Sequence, residues 1–280
     1  MGDQSLLRAD HLGLLRARLI NAFSSNIKKA IVHGNPDRVE VHASLLKEPM
    51  LVAKKRGFVS YVGFIGDEPV LITSCGMGAG SAAIAVEELA ELGIKRIIRV
   101  GTCGSYREEI RPGDIVVPTE VLVDSPALRY IYSDYLRERP LRQDLPWLQV
   151  LEGFYFVKGF ENVSTRLLEA AKDVLAEFRA DQVHKVFHGP IHDKDILHAW
   201  REQYSADREN LLRIKSIVKK LTIATDMESG TLFTLAHLRG IQAGSILVVV
   251  DFFGDDKVVH AQDEALELVY KISLKAIKKI

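Results

Sequence analysis

Arg99-Val100-Gly101-Thr102-Cys103-Gly104-Ser105 closes a β-branched run, Lys95 to Val100, with an arginine, a hydroxyl residue and two glycines. The run predicts a buried strand that leaves a helix. At its C-terminal end Gly101 and Gly104 let a ligand come close to the backbone. Arg99 offers a planar fork of donors, Thr102 a hydroxyl, and a glycine-flanked turn free N–H groups. That set suits the several oxygens of a phosphate, although the same residues also describe an ordinary strand-to-turn junction with an arginine at its rim. The neighbouring segments decide between the two.

Three further segments put related chemistry just past strand ends, where ligands gather in an open parallel sheet. His33-Gly34-Asn35-Pro36-Asp37-Arg38-Val39 follows the short apolar strand Ala30 to Val32 and supplies a second turn with a glycine and an arginine. Cys75-Gly76-Met77-Gly78-Ala79-Gly80-Ser81 joins the strand Val70 to Ser74 to a helix over about 79–92. It departs from a dinucleotide loop at Ser81, and Arg96 to Val100 lies where that loop's acidic partner belongs, so its free N–H groups are expected to meet a sugar or phosphate instead. Thr225-Asp226-Met227-Glu228-Ser229 stands between a strand over 221–224 and a helix over about 228–238. Its acids read either as caps that complement the helix dipole or, for Glu228, as an acceptor for two ribose hydroxyls with Met227 against the sugar.

Strands over 30–33, 58–65, 70–75, 95–100, 115–121, 153–158, 183–187, 221–224 and 245–250 alternate with helices over 79–92, 164–178, 196–204, 207–220, 228–238 and 261–280. This predicts a single three-layer α/β/α domain over 1–280, with a mixed, largely parallel central sheet. The 280 residues, 47% hydrophobic, suffice for one large core. Lys plus Arg equals Asp plus Glu at 37 each, which gives no global field for nucleic acid or acidic membranes. Cys75 and Cys103 both fall near strand ends. They predict small buried side chains in a reducing compartment, with a reactive thiol as the alternative. No signal-like or spanning apolar segment is read, so a cytoplasmic location is expected. His184, His188 and His192 are four apart, but Gly189-Pro190 would break a helical metal site, and no metal is expected.

In this order the segments resemble the trimeric and hexameric nucleoside phosphorylases, the family of uridine, purine nucleoside and methylthioadenosine phosphorylases. The matching strings are 34–39, Arg56-Gly57-Phe58, Gly76-Met77-Gly78, Ile84 to Leu89, Arg99 to Gly104, Gly113-Asp114-Ile115 and Met227-Glu228-Ser229. The resemblance implies reversible phosphorolysis of a nucleoside to free base and ribose 1-phosphate, with inorganic phosphate as co-substrate and no cofactor. It implies that Gly34, Arg38, Arg99 and Thr102 bind phosphate and that Arg56 is donated across a dimer interface. Met227 and Glu228 would hold the ribose, and His11 would reach it from the neighbour. The implied assembly is a homo-oligomer with shared sites, a hexamer built as a trimer of dimers. Stretches 125–152 and 205–220 are longer than in relatives and are read as insertions, the first with Tyr130, Tyr132, Tyr135 and Trp147 as a subunit contact, a flap or a surface excursion.

The chemistry asks for these residue types. Cleaving an N-glycosidic bond builds positive charge on the ribose, and an arginine-held phosphate beneath C1′ both stabilises that charge and attacks. The leaving base needs a donor. Asp251, at the end of the apolar strand Ile246 to Val250, matches the Asp of purine-specific relatives and is expected to serve N7 of a purine; as the alternative it is a turn or cap residue. Cys103, Gly104 and His192 are expected around the base with it. Ile196, His198, Arg201, Phe252 and Phe253 do not reproduce the uracil-reading Gln-x-Arg and Arg of pyrimidine-specific relatives. Val186 to Asp195, where relatives carry Ser-Ser-Asp and an aromatic, matches least. A purine nucleoside phosphorylase is therefore the first expectation and a uridine phosphorylase the second. A nucleosidase would have no use for three arginines around a phosphate, and a non-catalytic nucleoside binder is the third class.

Overall fold

Alternation along the central strands sorts their side chains onto two faces, and each face becomes a core. Ala30, Val32, Leu71, Ile97, Leu247 and Val249 pack in one buried cluster, whereas Ile31, Ile72, Ile98, Ile246 and Val248 pack in another. In the computed structural model, which describes residues 10–14, 27–125, 128, 154–195, 205–252 and 263–280, helices cover both faces. The three-layer α/β/α arrangement is as expected.

The strands are β1 (Lys29–His33), β2 (Lys47–Lys55), β3 (Phe58–Ile65), β4 (Glu68–Ser74), β5 (Arg96–Ser105), β6 (Ile115–Asp124), β7 (Tyr155–Lys158), β8 (Val186–Lys194), β9 (Ala224–Asp226) and β10 (Gln242–Phe252). The helices are α1 (Asp37–Ala43), α2 (Gly78–Leu92), α3 (Glu161–Glu177), α4 (Arg208–Leu221), α5 (Ser229–Arg239) and α6 (Asp263–Lys278). Buried residues of α2 and α5 belong to the first cluster, and those of α1, α3 and α6 to the second. The sheet order is β10-β6-β8-β9-β5-β1-β4-β3-β2, with β7 beside β6. An additional β10–β5 pairing closes β5, β9, β8, β6 and β10 on themselves. The mixed sheet is thus partly rolled up, and its parallel pairings are β1–β4, β1–β5, β5–β10, β6–β8 and β8–β9.

Several expectations are corrected. The Gly101 to Ser105 segment is strand, because Gly101 to Ser105 pair with β10 from Leu247 to Phe252 and Gly104 and Ser105 pair with β9. Backbone groups expected free in a turn are therefore partly committed to neighbours. Residues 183–187 only begin β8, which continues through Gly189-Pro190 to Lys194; its pairing with β6 shifts register between Pro118 and Val121, which accommodates the proline. Leu221 ends α4 and the next strand starts at Ala224. Arg38 sits on the short helix α1, and β2 lies where no strand was expected. The 205–220 stretch becomes α4, whose Val218 is buried in a satellite cluster with Tyr106 and Leu122. Most of 125–152, including its three tyrosines and Trp147, and the helix expected over 196–204 lie outside the described residues.

The Gly113-Asp114-Ile115 string is a built turn. Gly113 has φ 93°, and Asp114 accepts N–H bonds from Arg111 and Lys185, each 2.8 Å, at the start of β6. Among the described residues no helix is long and apolar enough to cross a membrane.

Candidate active site

A cavity of about 330 Å³ opens where β1, β5, β8, β9 and β10 present their ends, lined by Gly34, Arg38, Arg99, Thr102, Met227, Glu228 and Asp251 among others. Six of these come from three separate segments picked out in the sequence for phosphate and ribose. Gly101, Cys103 and Gly104 line it too. Four charged or polar neighbours were not anticipated there as site residues: Asn35, Lys194, Thr225 and Asp226.

Arg99 is the electrostatic centre. Its guanidinium is 3% exposed and lies 3.1 Å from Asp226 Oδ2 and in direct contact with Glu228 Oε2. A buried charge needs such partners, since desolvation otherwise outweighs any gain. A Cβ on Gly101 would collide with the guanidinium, so the glycine makes room for a charged group folded over its own strand. The two acids of the Asp-Met-Glu segment divide the alternatives between them. Asp226 caps α5, accepting from the Ser229 N–H at 3.2 Å and its hydroxyl at 2.6 Å. Glu228 makes no cap bond and turns to Arg99 and to the Gly78 N–H, 2.7 Å away, at the start of α2. That amide, expected to be free for a ligand, is used to hold the acid.

Three carboxylates share this one guanidinium. Burial, against the pull of Arg99, pushes Asp226 up to about 6, and Glu228 adds to the rise. Behind it Asp193, 1% exposed, is pushed well up by burial and then by Asp226 and Glu228. Its Oδ2 accepts from the Thr231 N–H at 3.2 Å, and Gly230 leaves it space.

Asp251 also lines the cavity; its Oδ1 is buried without a hydrogen-bond partner, and a Cβ on Gly104 would strike it. Register places Asp251 opposite Gly104. Burial raises its carboxyl pKa and Lys194 opposes the rise. Lys194, 3% exposed, is brought down to about 8 by burial, against Asp251 and Asp226. Burial likewise pushes the Cys75 thiol up to about 12 and Cys103 well up, so both are uncharged thiols rather than nucleophiles.

Under the Gly34 turn lies a neutral histidine pair. His33 Nε2 and His42 Nδ1 are 2.8 Å apart, and the His42 ring stacks on Tyr270 at 4.6 Å. Burial lowers His42 to about 3 and His33 well below its ordinary value, with Arg38 and Arg99 adding to the latter. The pair ties the end of β1 to α1 and α6 without adding charge beside Arg38.

Three expected site residues are not among those that line the cavity. Arg56, exposed with φ 52°, occupies the β2–β3 turn, the place of a residue expected to act on a neighbouring chain. His11 is held by Glu88 of α2, 2.8 Å from its ring, and Glu88 also accepts from the Leu12 N–H. His192 is fully buried, with Nδ1 3.0 Å from the Tyr106 hydroxyl and its ring stacked against Tyr106 and Phe154. Lys194, the last residue of β8, and not His192 borders the cavity. His184 and His188 bond to separate carbonyls, of Gly113 and Val117, and among the described residues no cluster is arranged to hold a metal ion. Ile196, His198, Arg201 and Phe253 lie outside the described residues.

The chain also has relatives among known proteins. The family model described as the phosphorylase superfamily matches residues 28–280. The chain is 32% identical over 246 residues to the uridine phosphorylase of Escherichia coli, covering 86% of this chain and 84% of that one. It is 29% identical over 260 residues to a guanosine phosphorylase of Halorubrum lacusprofundi, covering 89% and 92%. The crystal structure of purine nucleoside phosphorylase from Toxoplasma gondii in complex with immucillin-H superposes with a TM-score of 0.71 at 25% identity, over 91% of this chain and 92% of that one.

Proposed function

From the premise that the chain belongs to the phosphorylase superfamily and is a nucleoside phosphorylase, a pentosyltransferase, we propose that its preferred substrate is a purine nucleoside. The observation that carries this is Asp251: a carboxyl at the cavity wall, one oxygen buried and unpartnered, with its pKa raised by burial. A protonated carboxyl donates to N7 of a departing purine and neutralises the charge that leaves with it. In this reading Arg38, Arg99, Thr102 and the Gly34 backbone hold phosphate beneath C1′, and Glu228 and Met227 hold the ribose. The likeness to uridine phosphorylases supports uridine as the second reading. Phosphate-dependent base release from inosine, guanosine, adenosine, methylthioadenosine and uridine tests the choice. Uridine cleaved much faster than every purine nucleoside would refute it.

Charge supports a site shared between chains. The cavity of one chain carries Arg38, Arg99 and Lys194 against Asp226 and Glu228, with Asp251 neutral in this reading, and Arg99 is already paired with both acids. A phosphate dianion added to that balance needs a further cation, and Arg56 from a neighbour supplies one. We propose a dimer as the minimal active unit, within a trimer of dimers, with His11 donated in the same way. Inactive Arg56→Ala and inactive Glu228→Ala chains, mixed and allowed to exchange, are expected to recover activity, because each hybrid dimer holds one intact site. Exchange confirmed by mass with no recovery would rule out sharing.

A further inference from the structure

We infer that His33 and His42 are positioning residues for phosphate: the hydrogen bond between their buried rings holds Arg38 against the Gly34 backbone. The inference rests on the assignment of Gly34 and Arg38 to phosphate made above.

Gly34 and Arg38 stand on different elements. Gly34 directly follows β1, whose last residue, His33, is locked into the sheet opposite Ser74 of β4 and Val100 of β5. The Cys75 N–H donates to its carbonyl at 2.7 Å. Arg38 belongs to α1, a helix of seven residues with no side-chain bond from its N-cap, Pro36. A helix so short does not stand alone in water and takes its direction from what it packs against. Of its buried residues, Val39, His42 and Ala43, only His42 has a polar side chain. His42 lies four residues after Arg38, on the same face of the helix.

The hydrogen-bond chain through His42 runs one way. The Tyr270 carbonyl, 3.2 Å from His42 Nε2, can only accept, so Nε2 carries the proton. Ser273 Oγ, 3.3 Å from the same nitrogen, donates to that carbonyl at 2.8 Å and keeps its lone pairs for the histidine. Burial keeps the His42 ring neutral, so its Nδ1 is bare and accepts from the His33 Nε2–H at 2.8 Å. The His33 ring meets those of His42 and Tyr270 edge-on, with centroids 5.0 and 5.5 Å apart. Swinging α1 away from β1 would break the ring-to-ring bond and strand two polar nitrogens in the interior. Two apolar side chains would fill the same space without that directional penalty. Fixing Arg38 before phosphate arrives removes an ordering cost from binding.

Inorganic phosphate titrated calorimetrically into the full chain tests this, with thermal unfolding and nucleoside kinetics of each variant alongside. His33→Leu/His42→Leu removes both polar partners together, so stability should change little. Its phosphate Kd is expected to rise about tenfold or more, with the nucleoside KM at saturating phosphate unchanged. His42→Asn keeps an acceptor near the Nδ1 position, whereas His42→Gln keeps a donor near Nε2. Asparagine should hold phosphate affinity within about threefold of the wild type, and glutamine should weaken it as the double variant does. A double variant that binds phosphate as the wild type does, or whose nucleoside KM rises in parallel, would overturn the inference. Should the double variant fail to fold, equal phosphate affinities in His42→Asn and His42→Gln would overturn it. Arg38→Ala keeps the two readings apart. Undiminished phosphate affinity there defeats the assignment of this turn to phosphate, and the inference with it. Weakened affinity there beside an unaffected double variant defeats the inference alone.

Discussion

Arg99→Ala is expected to slow phosphate-dependent base release by roughly 30- to 1000-fold, about 2–4 kcal/mol, the loss of one charge-assisted contact to the attacking phosphate. The structure adds a second consequence. Arg99 is the buried partner of Asp226 and Glu228, and without it two carboxylates face each other in a cavity that already raises Asp226. Breaking a buried pair from one side costs on the order of 3–5 kcal/mol of stability. Arg99→Lys separates the effects. It keeps a charge for the acids but loses the planar fork, so the fold should survive while phosphate affinity falls. Phosphate added to the wild type should raise its melting temperature in proportion to occupancy, a rise that Arg99→Lys reduces. Base release at the same rate in phosphate-free buffer would mean hydrolysis, and would sink the phosphorylase mechanism for this site.

Asp251→Asn is the second large effect. Asparagine keeps the shape and a donor but cannot give up a proton, so the change isolates proton transfer to N7, expected to contribute roughly 100-fold or more in purine turnover. Phosphate binding should be nearly unchanged, because Asp251 is not among the residues assigned to the phosphate. The pH dependence has a definite sign. Burial raises the Asp251 pKa and extends its protonated form towards neutrality, opposed by Lys194 of β8. Of the other cavity residues, Asp226 of β9 and Cys103 of β5 also bear on this region. The donor is present below the folded pKa and lost as pH rises through it. Purine turnover should therefore fall on the alkaline side in the wild type, and that limb should be absent in Asp251→Asn at equal phosphate. Gly104→Ala, whose Cβ would strike the carboxyl, should lower turnover in the same direction. An Asp251→Asn enzyme as fast as wild type on inosine would remove Asp251 from the reaction.

The chain by itself determined the residue types of the site and the alternation that buries both faces of the sheet. Arginine, threonine and glycine at strand ends are local signals, written within a few residues, and a strand such as Ile246 to Val250 announces its burial by being apolar throughout. β2 gives no such signal. Lys47-Glu48-Pro49-Met50-Leu51 is largely exposed and, among the described residues, pairs only with β3, so burial leaves little pattern on it. Only the tertiary structure decided that Gly101 to Ser105 is strand, because that follows from pairing with β9 and β10, more than a hundred residues away. It decided that Asp226 caps a helix while Glu228 reaches Arg99 across 129 residues of chain. It also buried His192 against Tyr106 and Phe154 and left Lys194, the last residue of a β8 continuous through Gly189-Pro190, beside the cavity. Residue chemistry is carried by each position, but which charges share one dielectric cavity depends on contacts between segments that no local pattern encodes.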